Sequence, residues 1–298
     1  MIGACIVSYN SAVDLPDCIS YLKRAQIEVI VVVDNASSDE SVPVVQSRHP
    51  DVLIIQSSTN TGYARANNIG CRALLKRGVT YLLVVNPDSR VSPEMPGALA
   101  VALEQHQHAG CAGGSAVDPG GGHARASFRN RPTLADSVLI YGRLRDLPLI
   151  RPLVTTALFR RRSAHYVRPA TTSPTYAVSG ACFMARAPAF MEIGGFDEST
   201  FLHNEELILS ERLHSKQWTV LAVPNAHYSH AESTSLKRHP WWSWLGFVHS
   251  EQILWRRYYR RSFAATALLV LRLLETALWP PLEYCRRVWH RTMSCDNS

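Results

Sequence analysis

Glu205-Glu206 opens an apolar-patterned stretch that runs to about Ser215, which places two adjacent acids in the first turn of a helix. The helix dipole alone favours negative charge there. A carboxylate in such a place can also deprotonate a hydroxyl, if its cleft raises its affinity for the proton. Glu206 is the candidate base, with Glu205 beside it. Asn86-Pro87-Asp88 closes the run Tyr81–Val85 and offers one carboxylate at a strand end. A divalent cation, Mn2+ or Mg2+, held by one carboxylate and by phosphate oxygens would neutralise a departing diphosphate. That shell calls for a second protein group. His230, in His227-Tyr228-Ser229-His230 just past the last core strand, is the candidate.

The elements that would position these groups alternate between strand and helix. Residues 2–7 form a short apolar run, 14–25 a helical pattern, and 28–33 a β-branched run of the kind buried in a parallel sheet. A short helix at Ser41–Arg48, a strand at 52–56, a helix over 63–77 and a strand at Tyr81–Val85 continue the alternation. This order makes an α/β sheet. Ligands of such sheets sit at the carboxyl ends of the strands, where Ser8, Asp34 and Asp88 fall. A strand region at 176–186, a helix near 187–193, the acidic helix and a last strand at 219–223 complete the core. The stretch 118–175 holds Gly120-Gly121-Gly122, a basic loop with Arg125, Arg129 and Arg131, and a helical excursion with Arg160-Arg161-Arg162. A connection this long is functional or mobile.

Ser8-Tyr9-Asn10 and Val33-Asp34-Asn35-Ala36-Ser37-Ser38-Asp39 would face one another across a cleft. Asp34 there can accept hydrogen bonds from a pyrimidine imide or a ribose hydroxyl, although the same string also reads as a turn and helix cap. Asn60-Thr61-Gly62-Tyr63-Ala64-Arg65-Ala66-Asn67-Asn68-Ile69-Gly70 reads as a tight turn opening a helix. Its amides and Arg65 can approach a phosphate or a base.

In this order the motifs resemble those of family 2 glycosyltransferases of the GT-A fold. The resemblance takes in Ser179-Gly180-Ala181, Gly194-Gly195-Phe196-Asp197-Glu198, and Glu205-Glu206 with Arg212, and it covers roughly residues 2–233. It is nearest to rhamnosyltransferase-like members that build bacterial cell-surface polysaccharide. The fold it implies is a Rossmann-like mixed sheet flanked by helices, with a helical C-terminal extension. The reaction it implies is inverting transfer of a sugar from a nucleoside-diphosphate donor to a polyprenyl-diphosphate-linked or polysaccharide acceptor. Nucleotide contacts would come from Ser8, Asn10, Asp34 and Gly62, with Arg65, Asn67 and Asn86 alongside. Asp88 matches the metal-binding carboxylate of a DxD-like motif, Glu206 the catalytic acid, and His230 the late active-site histidine. Ser179, Gly180, Ala181 and Arg212 would line the donor-sugar and acceptor cleft.

Two positions depart from that pattern. Asn86 replaces the first carboxylate of DxD, and Ile208 stands where the family usually has an Asp on the acceptor side. Ile208 therefore raises an alternative, a non-catalytic nucleotide-sugar-binding partner at the membrane. A sugar nucleotidyltransferase is disfavoured, because Ser8-Tyr9-Asn10-Ser11 supplies no Gly-rich basic loop for a triphosphate. No GxGxxG follows the first strand, and the seven scattered cysteines show neither zinc nor disulfide spacing.

The 298 residues are 46% hydrophobic and 18% charged, which fits a globular chain with a sizeable core. The net charge of +7 is concentrated between Arg256 and Arg291, where eight arginines oppose Glu275 and Glu283. With no nucleic-acid reading module in the chain, an anionic membrane surface is the expected partner. Residues 263–279 fall short of the about 20 that span a bilayer, are interrupted by Arg272 and Glu275, and should stop at Pro280-Pro281. A helix in the membrane interface, with arginines reaching headgroups and Trp279 at the boundary, is the expectation. The division expected is 1–235 catalytic (1–117 nucleotide half, 118–235 acceptor half) and 236–298 basic and helical. No secretory signal is read at the N-terminus, so the expected place is cytoplasmic, at the inner face of the cell membrane, with a homodimer among the partners considered.

Overall fold

The computed structural model describes residues 1–118, 127–143, 164–230 and 240–295. Arg125 and Arg160-Arg161-Arg162 lie outside the described residues, as do the side chains of Trp279, Arg286, Arg287 and Arg291. Two compact units make up the chain, Met1–Arg131 with Tyr166–Leu254 and Pro132–His165 with Trp255–Ser298.

The first unit is built on a mixed sheet. Strands β1 (Ile2–Ser8), β2 (Val29–Asp34), β3 (Leu53–Gln56) and β4 (Tyr81–Val85) are parallel, in the order β3-β2-β1-β4. Helices α1 (Leu15–Arg24), α2 (Ser41–Arg48) and α3 (Tyr63–Leu75) make the crossovers. One core gathers Leu15, Ile19 and Leu22 of α1 on one face of the sheet, and another gathers Ala64, Cys71 and Leu74 of α3. Burial on both faces is why these strands read as continuous apolar runs.

Beyond β4 the sheet turns mixed. β11 (Cys182–Arg186) lies antiparallel between β4 and β6 (Ala109–Val117), followed by β12 (Thr219–His230), which also pairs with β9 (Ser173–Thr175), and the edge strand β5 (Ser89–Val91). Sequence periodicity left β6 and the helix before it, α4 (Met95–Gln105), unassigned. The strand is Ala-Gly-Cys-Ala-Gly-Gly-Ser-Ala-Val, poor in β-formers, yet it is central. Close packing explains the glycines. A Cβ on Gly113 would stand 2.5 Å from Val178 Cβ, and one on Gly114 would run into the Ala226 carbonyl. A small antiparallel sheet of β10 (Ala177–Val178), β7 (Phe128–Arg129) and β8 (Tyr166–Val167) flanks this region.

The last core strand does not stop at Val223. It resumes after a register shift between Val223 and His227, in the segment that holds Pro224, and ends at His230. His230 is thus a strand residue, not the loop residue expected.

The second unit packs the helix Ser262–Cys295 against a helical segment at Leu134–Asp136 that continues as a π-turn over Ser137–Tyr141. Arg272 is fully buried, donating to Glu275 Oε2 at 2.8 Å and Ser137 O at 2.7 Å. Glu275 Oε1 accepts Arg143 N at 2.8 Å. Arg272 therefore does not reach outward to headgroups, as the sequence suggested. Pro280-Pro281 does not end the helix either, because proline's φ is helical and its cost is the missing amide bonds. The opposite face of the helix carries exposed Phe263, Val270, Leu273, Leu274 and Leu278. Over residues 270–278 the helix is inverted, with Arg272 and Glu275 inside and Leu273, Leu274 and Leu278 outside. No described helix is long and apolar enough to cross a membrane.

Candidate active site

Ser8 of β1 stands opposite Asp34 of β2, so both reach the same end of the sheet. Asn35 N donates to Ser8 O at 2.8 Å and joins the two strand ends. Beyond them the loops interlock. Asn10, at φ 52°, gives its amide to Ser37 Oγ at 2.9 Å and accepts Ser38 N on Oδ1 at 2.8 Å. Asp34 Oδ2 accepts Ser37 N at 3.1 Å, while Asp34 Oδ1 and Ser8 Oγ are buried and hold no hydrogen bond among the described residues. Buried polar atoms left open like this are rare and call for a partner from outside.

Gly62 opens α3 at φ 84°, where a Cβ would stand 2.6 Å from Phe201 O. Only glycine fits that backbone. Asn35 pins the turn, donating to Asn60 Oδ1 at 2.8 Å and accepting Thr61 N at 2.9 Å. Tyr63 then donates from N to Phe201 O and from OH to Gly180 O, each at 2.8 Å. The loops at the ends of β1 and β2 and the acidic turn are thereby tied to one another.

β4 delivers Asn86-Pro87-Asp88, and Asn86 N donates to Ala181 O at 2.8 Å. β5 pairs with the end of β12, with Ser89 opposite His230, which brings His230 to Asp88. The imidazole Nε2 lies 3.1 Å from Asp88 Oδ1 but is not aligned as a hydrogen bond. Both Asp88 oxygens and Asn86 Oδ1 are buried and hold no hydrogen bond among the described residues. Burial first, and then the charge of Asp88, raises the carboxyl of Asp14 above its ordinary value. Negative charge accumulates in this corner. One carboxylate beside one imidazole suits a divalent cation, and the nitrogen favours Mn2+ over Mg2+. Among the described residues no three His, Cys, Asp or Glu gather to hold a metal, so phosphate or water oxygens would complete the shell.

The acidic helix follows two left-handed residues, His203 at φ 72° and Asn204 at φ 62°. Consecutive non-glycine residues in that region persist only where neighbours enforce them. The helix Pro240–Ile253 does so. His203 Nε2 and Ser243 Oγ lie 2.8 Å apart, Asn204 Nδ2 donates to Ser250 Oγ at 3.3 Å, and Ser250 Oγ reaches Leu202 O at 3.1 Å. From this turn the helix Glu205–Ser215 sends its first two side chains different ways. Glu205 turns inward, 5% exposed, its pKa pushed up to about 8 by burial and then by the charge of Glu206. Glu206 points to Gly180, whose missing Cβ would sit 3.4 Å from Oε2. Its Oε1 lies 2.6 Å from Arg129 Nη2.

Three expected residues are committed elsewhere. Arg65 pairs with Glu198 at 3.5 Å on the surface. Asn67 is buried, donating to Tyr63 O at 3.0 Å and accepting the Cys5 thiol at 3.6 Å. Arg212 donates to Ile193 O under the Gly194-Gly195 turn. Ser179 Oγ accepts Ala181 N at 3.3 Å, so Ser179-Gly180-Ala181 forms a compact bridge between Asn86 and Glu206. Ile208 is 1% exposed, a position where a carboxylate would need its own buried partner. Arg129 is the residue that sequence reasoning passed over. It was read as one of several arginines in a basic loop, whereas Arg129 meets Glu206 and Arg131 meets Glu211 at 2.8 Å.

The family model "Glycosyl transferase family 2" matches residues 4–168. The N-acetylglucosaminyl-diphospho-decaprenol L-rhamnosyltransferase of Mycobacterium tuberculosis is 29% identical over 222 residues, which is 71% of this chain and 69% of that protein. A low-salt glycan biosynthesis hexosyltransferase of Haloferax volcanii is 28% identical over 204 residues, 68% of this chain and 58% of that protein. Among solved structures, S. aureus TarS 1-349 in complex with UDP-GlcNAc superposes with a TM-score of 0.55 at 14% identity, over 93% of this chain and 73% of that one. GalNAc-T7 with UDP, GalNAc and Mn2+ gives a TM-score of 0.59 at 14% identity, over 93% and 54%. These two likenesses establish the fold.

Proposed function

The chain belongs to glycosyl transferase family 2, and we propose that it is a metal-dependent, inverting enzyme that moves rhamnose from a nucleoside diphosphate to a polyprenyl-diphosphate-linked glycan. The observation that carries this reading is the row of buried polar atoms that hold no hydrogen bond among the described residues, at the carboxyl ends of the strands: Ser8 Oγ, Asp34 Oδ1, Asn86 Oδ1 and both oxygens of Asp88. A nucleoside diphosphate laid along that edge would meet Ser8 and Asp34 with its nucleoside and Asp88 with its phosphates. The sugar and the acceptor class follow the Mycobacterium tuberculosis relative, whose name states both.

In the reaction the acceptor oxygen forms a bond to the anomeric carbon, and the bond from that carbon to the diphosphate oxygen breaks with its electron pair. Glu206 receives the hydroxyl proton. Asp88 and His230 would hold the cation, which supplies charge neutralisation to the departing diphosphate. Tyr63 and the Ser179-Gly180-Ala181 bridge fix the distance between the two halves. The test is incubation with a panel of nucleoside-diphosphate sugars and a lipid-linked N-acetylglucosaminyl diphosphate. Release of nucleoside diphosphate should be fastest with a rhamnose donor. No turnover with any donor would favour the non-catalytic alternative that Ile208 raises.

The inverted helix supports a place at the anionic inner surface of the cell membrane. Its exposed leucines would enter the headgroup boundary, and exposed Arg260 and Arg261 would meet lipid phosphates. Leu273→Glu with Leu274→Glu should abolish flotation with vesicles containing anionic lipid while leaving turnover of a short-chain acceptor intact. Flotation unaffected by the pair, or equal on neutral vesicles, would remove the helix from that role.

A further inference from the structure

Glu206 is not a free carboxylate. Arg129 Nη2 lies 2.6 Å from its Oε1, and both side chains are 15% exposed. Arg129 belongs to β7, held by its pairing with Ala177 of β10 and by Thr175 Oγ1, which donates to Arg129 O at 3.3 Å. The same β10 leads straight into Ser179-Gly180. Among the described residues, the other titratable groups around Glu206 are Glu205 and His203 from its own turn and Tyr63 from α3. Within that set Arg129 supplies the positive charge in direct contact.

A guanidinium this close occupies lone pairs of the carboxylate and holds it in one rotamer. The arrangement suits storage of the base more than its use. A sugar diphosphate acceptor resolves the conflict, because its reacting hydroxyl and its phosphates are separated by one pyranose ring. With the hydroxyl at Glu206, the phosphate stands within reach of the neighbouring guanidinium, whose planar fork matches phosphate oxygens. We propose that Arg129 is an acceptor-operated latch: it engages Glu206 until the anionic group of the acceptor draws it away, so that the base is released only when its substrate is in place. Water, which brings no anion, leaves the latch closed. This inference rests on the diphosphate-linked acceptor proposed above and gives that acceptor class a specific protein partner.

The experiment measures three rates in wild type, Arg129→Met and Arg129→Lys. They are donor hydrolysis without acceptor, transfer to a short-chain N-acetylglucosaminyl diphosphate lipid, and transfer to the neutral octyl glycoside of N-acetylglucosamine. Wild type should prefer the diphosphate acceptor strongly and hydrolyse donor slowly. Arg129→Met should lose that preference, mostly through KM of the diphosphate acceptor, and raise acceptor-free hydrolysis about tenfold, equivalent to about 1.4 kcal/mol. Arg129→Lys should fall between, since it keeps the charge and loses the fork. An equal drop on both acceptors with hydrolysis unchanged or lower in Arg129→Met would overturn the latch and leave Arg129 a plain support of the turn. A wild type that transfers to neither acceptor would defeat the acceptor assignment, while the hydrolysis arm still decides whether Arg129 restrains Glu206.

Discussion

Glu206→Gln should lower the transfer rate by about 10²–10⁴-fold, the range typical of losing a general base. Donor binding should change little, because Ser8, Asp34 and Asp88 are untouched. Glu205→Gln is the control that gives this number meaning. Burial and the charge of Glu206 push Glu205 up to about 8, so its carboxyl is already neutral at pH 7 and glutamine is a close imitation. The rate should therefore stay within a few-fold of wild type. Stability carries a second signature. The folded-state pKa of Glu205 lies above its ordinary value of 4.5, so the stability it lends is complete below that value and is lost as pH rises toward 8. Glu205→Gln should flatten the fall in unfolding free energy across that window. If both glutamines cost the same small amount, only the helix dipole is at work and the base lies elsewhere.

The two glutamates also show how far a sequence carries. Their adjacency and helical setting were legible, because caps, dipoles and apolar spacing are local properties. Their opposite fates were not. Glu205 is buried against α3 and Glu206 is matched to Arg129, and both outcomes depend on elements far away in the chain. The parallel half of the sheet was readable from its β-branched runs, whereas β6 hid behind glycines that only close packing explains. His230 was identified as a partner of Asp88 but placed in a loop, since the register shift after Val223 leaves no periodic mark. The setting of two charges in the C-terminal helix was hidden for a related reason. Arg272 and Glu275 look like a solvated face until Ser137 O and Arg143 N are found beside them. Charge reads as exposure in sequence, and tertiary partners reverse it.

Asp88→Asn should nearly abolish turnover, with a loss of about 10³-fold or more if the cation contributes several kcal/mol to the leaving group. The fold should not suffer. Among the described residues neither oxygen of Asp88 holds a hydrogen bond, so the substitution strands no donor there and removes a buried charge set against Asp14. The melting temperature should hold or rise, as at other sites where function is kept at the expense of stability. His230→Ala should weaken the metal less, because phosphate and water oxygens can replace one nitrogen while the sole carboxylate has no substitute. A direct readout separates this from a general loss of activity. Mn2+ titrated with nucleoside diphosphate present should bind wild type, bind His230→Ala more weakly, and fail to bind Asp88→Asn. Wild-type turnover that persists in excess chelator, or Mn2+ affinity unchanged by Asp88→Asn, would show that this corner holds no catalytic cation. Asp88 and His230 would then be a partly buried acid–imidazole pair, and the diphosphate would have to leave with its charge met by Arg90, the cation that shares this corner with Asp14 and Asp17.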